Sequence, residues 1–119
     1  PGRPGRRLVL SPQHRVLLDE LGGLVPAKAL TALPRIGPLR DHGPILYIHL
    51  VLDRHALILA EGLACESFWP GDMALDQLSP ADRQRVRAIM GDDPCPAAPF
   101  LKVRVTRAAL AARHPAGAP

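Results

Sequence analysis

The sequence is poor in aromatic residues. One Trp, one Tyr and two Phe are 3% of its 119 positions, so its core must be mostly aliphatic. Lysine is nearly missing too: Lys28 and Lys102 stand alone, and arginine supplies the rest of the 15 positive side chains. Against 11 acids these leave a net charge of +4. Arg3, Arg6 and Arg7 form one cluster and Arg83, Arg85 and Arg87 another. A basic nucleic-acid module is the function such clusters would suggest, but no aromatic side chain interleaves either one to stack on bases. The expectation is of no nucleic-acid partner. Two cysteines, Cys65 and Cys95, cannot make a disulfide framework or, by themselves, a four-ligand zinc site. No apolar run approaches the ~18 residues of a membrane-spanning helix, so no membrane partner is expected. The opening Pro1–Arg7 stretch has no initiator Met and no apolar signal core, and it reads as a cut from a longer polypeptide.

Hydrophobic residues are plentiful at 47%, which excludes a wholly disordered chain. The 14 prolines and 10 glycines exclude a long helical bundle and favour short elements joined by turns. Leu8–Leu10 and Arg15–Leu18 read as short strands on either side of Ser11-Pro12-Gln13-His14. A polar turn over residues 19–23 leads into extended Leu24–Pro26, and residues 27–33 favour a turn or two of helix. The branched run Ile45–Leu52 predicts a strand, followed by strands over residues 56–60 and 63–68 around a tight Glu61-Gly62 turn. Together they suggest an antiparallel meander. Ser79-Pro80-Ala81-Asp82 is a helix start, and Gly91 and Pro94 a stop, with Val86, Ile89 and Met90 on one face between. Leu101–Val105 alternates like a strand, and Thr106 is placed to cap an Ala-rich helix to Arg113. The tail, Pro115–Pro119, is expected to fray.

Three histidines, His14, His49 and His55, fall at strand ends or turns, where side chains can converge at one sheet edge. Ser11 precedes His14 by three positions across a proline turn, and Asp53 would share a strand face with His49. Imidazole can polarise a carbonyl, protonate a leaving amide nitrogen or bind a metal. The spacing fits no standard zinc finger, and neither metal nor cofactor is expected. From spacing alone, a strand-edge histidine is more simply a hydrogen-bonded structural residue.

Beyond spacing, Leu8-Val9-Leu10-Ser11-Pro12-Gln13-His14-Arg15 resembles the Thr-x-x-His block of Hedgehog/intein (Hint) domains, with Ser11 in the Thr place. It is most similar to a bacterial Hint-type subfamily carrying Ser-Pro-Gln-His-Arg. Leu24–Leu30 resembles the Val-Pro-Ala segment that follows in that subfamily. Tyr47–His55 and Ala60–Phe68 resemble its late blocks, and the helical stretch around Leu75–Met90 its tail.

The resemblance implies a mainly β fold. Residues 1–71 would be the C-terminal part of a horseshoe of short antiparallel strands, and residues 72–119 a helical extension. It also implies self-processing, in which a Cys or Ser side chain attacks the preceding peptide carbonyl in an acyl shift. The substrate is then the domain's own N-terminal flanking polypeptide. By the resemblance, His14 hydrogen-bonds and protonates the departing amide nitrogen, Ser11 positions that amide or the carbonyl oxygen, and His55 is an acid/base candidate. His49 falls where many inteins carry Asp.

Two features depart from the family pattern. Nothing at Pro1 fits the nucleophile, and Glu66-Ser67 stands where inteins end in His-Asn. The outcome implied is Hedgehog-like cleavage, resolved by water or an external nucleophile, rather than splicing. The competing function is a degenerate Hint scaffold serving as an interaction or structural module of a larger bacterial protein. Simpler readings attach to the other residues. Cys65 is buried packing and Cys95 incidental, Trp69 a core or lid residue, Asp53 and Arg54 a turn pair, and the Arg83–Arg87 arginines a solvated helix face.

Overall fold

The computed structural model describes residues 8–31 and 33–113; the expectations for residues 1–7 and for the tail from Pro115 lie outside them. Strands β1 (Arg15–Leu18) and β2 (Gly23–Pro26) pair antiparallel, with Val16 opposite Val25 and Leu17 opposite Leu24. The chain reverses between them through a single 3-10 turn at Asp19–Leu21 and through Gly22, whose φ of 70° is left-handed and suits glycine. Strands β3 (Leu57–Ala60) and β4 (Leu63–Glu66) form the second hairpin, with Ile58 opposite Cys65. Its two-residue turn has positive φ at both Glu61 (52°) and Gly62 (81°), the signature of the turn whose twist matches paired strands. β4 joins β1 at Val16–Cys65, giving a four-stranded antiparallel sheet in the order β2-β1-β4-β3.

Three helices follow: α1 (Asp72–Asp76), α2 (Pro80–Met90) and α3 (Val103–Arg113). In α2 the Ser79 hydroxyl accepts from the Asp82 N–H at 3.1 Å, Pro80 opens the first turn, and the Gly91 N–H returns to the Arg87 carbonyl at 2.8 Å. These are the start and stop that the sequence predicts. The result is a small open antiparallel sheet with a substantial helical C-terminal part, the mainly β arrangement expected. No helix among the described residues is long and apolar enough to cross a membrane.

Two apolar clusters hold the elements. Val16, Val25, Leu30, Cys65 and Leu110 are buried in the first, which brings α3 onto the sheet. Phe68, Val86 and Met90 form the second beneath α2, with Val51, Leu75 and Leu78 packed against them. Ile89 shares the α2 face expected of it but stays partly exposed.

Three strand expectations are corrected. Leu8–Leu10 is irregular; Leu8 and Leu10 pack against the first cluster without joining a ladder. Ile45–Leu52 is irregular as well, with Leu46 84% and Ile48 78% exposed. Branched composition favours a strand only where a neighbouring strand supplies a ladder and a face to cover. Among the described residues the segment is tied to its neighbours through the Phe68 N–H to Leu50 carbonyl bond, at 2.8 Å, without a ladder. Leu101–Val105 forms no strand either. Phe100 makes an isolated parallel bridge to Leu24, and helix α3 has begun by Val103. Thr106 therefore lies inside α3, fully buried with Leu110 one turn on, and caps nothing. The short helix over residues 27–33 is a 3-10 turn at Ala27–Leu30.

Candidate functional site

The Ser11–His14 segment is a β-turn, closed by the His14 N–H on the Ser11 carbonyl at 3.1 Å, with Pro12 in the position its fixed φ favours. The turn is pinned from its other side. Lys28 donates its N–H to the Pro12 carbonyl at 3.1 Å, and Ala27 to the His14 carbonyl at 2.8 Å. The backbone of His14 is thus held before β1 begins.

A cleft of about 330 Å³ opens where this turn meets the end of β4 and the start of α1. Ser11, His14, His49, Glu66 and Ser67 line it, with Trp69 and Asp72 at its sides. The sequence-selected Ser11, His14 and His49 thus border one space. His49 reaches it from the irregular 45–54 segment, its ring edge-on to Phe68 at 5.2 Å. A second groove of about 270 Å³ continues from it under α2, sharing His49 and Phe68 and otherwise mostly apolar.

His14 carries the most telling feature. Its Nε2 is buried and has no hydrogen-bond partner among the described residues. Burial pushes the imidazole below its ordinary pKa; the Glu66 carboxylate and backbone carbonyl pull it back up, and His49 and Arg15 push it down further. A buried ring nitrogen without a partner costs stability, and it is free for a substrate atom.

His55 is placed differently from the expectation. It does not line the cleft but lies behind it, buried, with both ring nitrogens engaged. Nε2 meets Glu66 Oε1 at 2.9 Å, and Nδ1 accepts the Ala97 N–H at 2.9 Å. The kink at Asp53-Arg54 turns the ring inward, while those two side chains stay exposed, 3.9 Å apart.

Glu66 is the site residue that sequence reasoning missed. It is only 5% exposed. Its Oε2 accepts the Arg15 backbone N–H at 2.8 Å, and Arg15 NH1 lies 3.2 Å from Oε1. A signal was available: an acid ending the apolar run Leu63-Ala64-Cys65 is seldom buried without partners. The partners themselves come from distant positions. Two of the four aromatic residues also gather here. Trp69 and Phe100 pack edge-on at 5.1 Å, each also edge-on to His55, and the Arg15 guanidinium sits 3.9 Å over the Phe100 ring. Trp69 is thus a half-buried cleft-wall residue packed on Phe100 and His55.

Cys65 is core packing, and burial pushes its thiol up, with Glu66 adding to the effect. Cys95 is exposed. Among the described residues no group of three or more His, Cys, Asp or Glu is placed to hold a metal ion.

A small antiparallel sheet presenting a turn-held histidine to a cleft defines a compact β domain with a histidine-centred site. The sequence model of the Hint domain matches residues 1–72, well over half of the chain, and the chain belongs to the Hint domain family. No curated protein and no solved structure matches it.

Proposed function

We propose that the chain is the C-terminal portion of a self-processing Hint domain that cleaves the peptide bond joining it to its N-terminal flanking polypeptide. The observation that supports this reading is the buried, unpartnered Nε2 of His14 beside a cleft, on a turn fixed from both sides. An amide nitrogen is a poor leaving group until it is protonated, and a held imidazole is suited to supply that proton.

In this reading a Cys or Ser from outside the chain attacks the carbonyl carbon of the residue before it. The C–N bond breaks, the proton given up by the attacking thiol or hydroxyl reaches the departing nitrogen through His14, and the acyl group stays on sulfur or oxygen as an ester. Water or another nucleophile then releases it. Ser11 orients the amide, and His49 borders the opposite side of the reacting group. His55, with both nitrogens occupied, acts through Glu66 rather than on the substrate. The bond gains from being held in position before reaction. The Ser11-Pro12-Gln13-His14-Arg15 turn is similar to the one in a bacterial Hint-type subfamily, which supports the same reading.

The test is the rate of dithiothreitol-dependent cleavage in a polypeptide carrying the chain behind its natural N-terminal flank. His14→Ala should slow it roughly a hundred- to ten-thousand-fold, and His49→Ala less. A wild type that never cleaves would leave the non-catalytic scaffold in its place.

A further inference from the structure

The connection between α2 and α3 lies beyond the residues matched to the family, yet it reaches back to His55 behind the cleft. Ala97 donates its N–H to His55 Nδ1 at 2.9 Å. Two bonds anchor the segment to β2: the Leu24 N–H to the Pro99 carbonyl at 2.7 Å, and the Leu101 N–H to the Leu24 carbonyl at 2.8 Å. Between these anchors Phe100 closes over His55 and Arg15.

A ring nitrogen that accepts a hydrogen bond carries no proton. The Ala97 N–H therefore makes His55 the Nε2–H tautomer, which donates to Glu66 Oε1. Arg15 holds the other carboxylate oxygen through its backbone N–H at 2.8 Å. Glu66 is thus held by two donors of Arg15 from β1, its backbone N–H and its NH1, and by one ring set from the C-terminal connection, and it lines the cleft beside His14.

We infer that residues 94–101 are part of the processing site: they lock His55 in one tautomer and through it orient Glu66, which lines the cleft beside His14. The inference rests on the role proposed for His14 in cleavage, but the linkage from Ala97 to His14 is measurable without any cleavage. The arrangement resembles the way ligating histidines are fixed by what their second nitrogen touches. The charged and titratable groups acting on His14 are Glu66 from β4, Arg15 from β1 and His49 from the 45–54 segment. Asp72, at the start of α1, lines the same cleft. Of the three acting on His14, Glu66 alone favours its protonated form. Moving that carboxylate away leaves the Glu66 backbone carbonyl alone against burial and two opposing neighbours. His14 then holds less readily the proton that the leaving nitrogen needs.

Two substitutions test this. Ala97→Pro deletes the one N–H and changes the identity of no cleft side chain, and Glu66→Gln keeps shape and removes charge. Long-range proton–nitrogen NMR of the histidine-labelled chain reads both His55 tautomer and His14 titration. The expected result is an Nε2–H His55 in the wild type and a mixture of tautomers in Ala97→Pro. The His14 midpoint should move down in both variants. With the flanking polypeptide attached, cleavage by Ala97→Pro should fall about ten- to a hundredfold, the usual effect of losing such a supporting partner. Phe100→Leu, which releases the ring but keeps bulk, replaces Ala97→Pro if the latter does not fold. An Nδ1–H His55 in the wild type, or a His14 midpoint unmoved by Glu66→Gln, overturns the inference. A wild type with these NMR signatures that does not cleave overturns the processing role alone.

Discussion

Replacing Gly23 with Ala should disturb sheet and cleft together. A Cβ at position 23 would lie 2.7 Å from the Pro99 carbonyl oxygen and 2.8 Å from Leu101 Cγ, closer than real Cβ contacts come. The oxygen cannot swing aside cheaply, because it accepts the Leu24 N–H at 2.7 Å. Relief requires residues 99–101 to lift off β2, which strains or breaks the two bonds to Leu24. Overpacking of this kind costs about 1–3 kcal/mol, and each weakened backbone bond adds about 1 kcal/mol. The sum, about 3–5 kcal/mol, is a large fraction of the roughly 5–15 kcal/mol that holds a domain together. Urea unfolding followed by circular dichroism measures it. The same lift draws Phe100 from the Arg15 guanidinium and Ala97 from His55, so the Ala97 amide should exchange with deuterium faster in the folded state. A loss under about 0.5 kcal/mol with Ala97 exchange unchanged would refute the tight contact between β2 and the C-terminal connection.

Thr106→Val should stabilise the chain by about 1 kcal/mol, since the Thr106 hydroxyl is buried without a partner and the isostere removes its desolvation cost; a urea midpoint below the wild type would show that the hydroxyl is bonded. Ser79→Ala should cost about 1 kcal/mol by leaving the Asp82 N–H of α2 uncapped, read from the same unfolding curves. Acid should weaken the fold through His14. Its folded pKa lies below the ordinary 6.5, so the unfolded chain binds the proton more readily. Its contribution is therefore complete above 6.5 and is lost as pH falls from there toward the folded value. Urea midpoints on both sides of that window should differ less for His14→Gln than for the wild type.

Where a local signal was complete, structure could be read directly from the sequence. Ser79, Pro80, Asp82 and Gly91 supply a cap, an opening proline and a stop within α2 and at its immediate ends, and all of them act there. The Glu61-Gly62 turn and the Ser11–His14 turn are likewise local, because proline and glycine restrict or free only their own backbone. The family was legible too, since its blocks follow one another along the chain.

Tertiary partners decided the rest. Ile45–Leu52 has the composition of a strand but no neighbouring strand among the described residues, and composition cannot supply one. Leu101–Val105 alternates, yet Thr106 and Leu110 bury one turn apart against the sheet and draw Val103–Arg113 into a helix. His55 looked like a cleft residue because it begins a strand beside a kink. It became a buried support because Ala97, 42 positions away, offered an N–H and Glu66 an acceptor. Glu66 itself is held by Arg15, 51 positions distant in the chain. A buried carboxylate is tolerable only with donors around it, and donors separated by such distances are brought together by the fold alone.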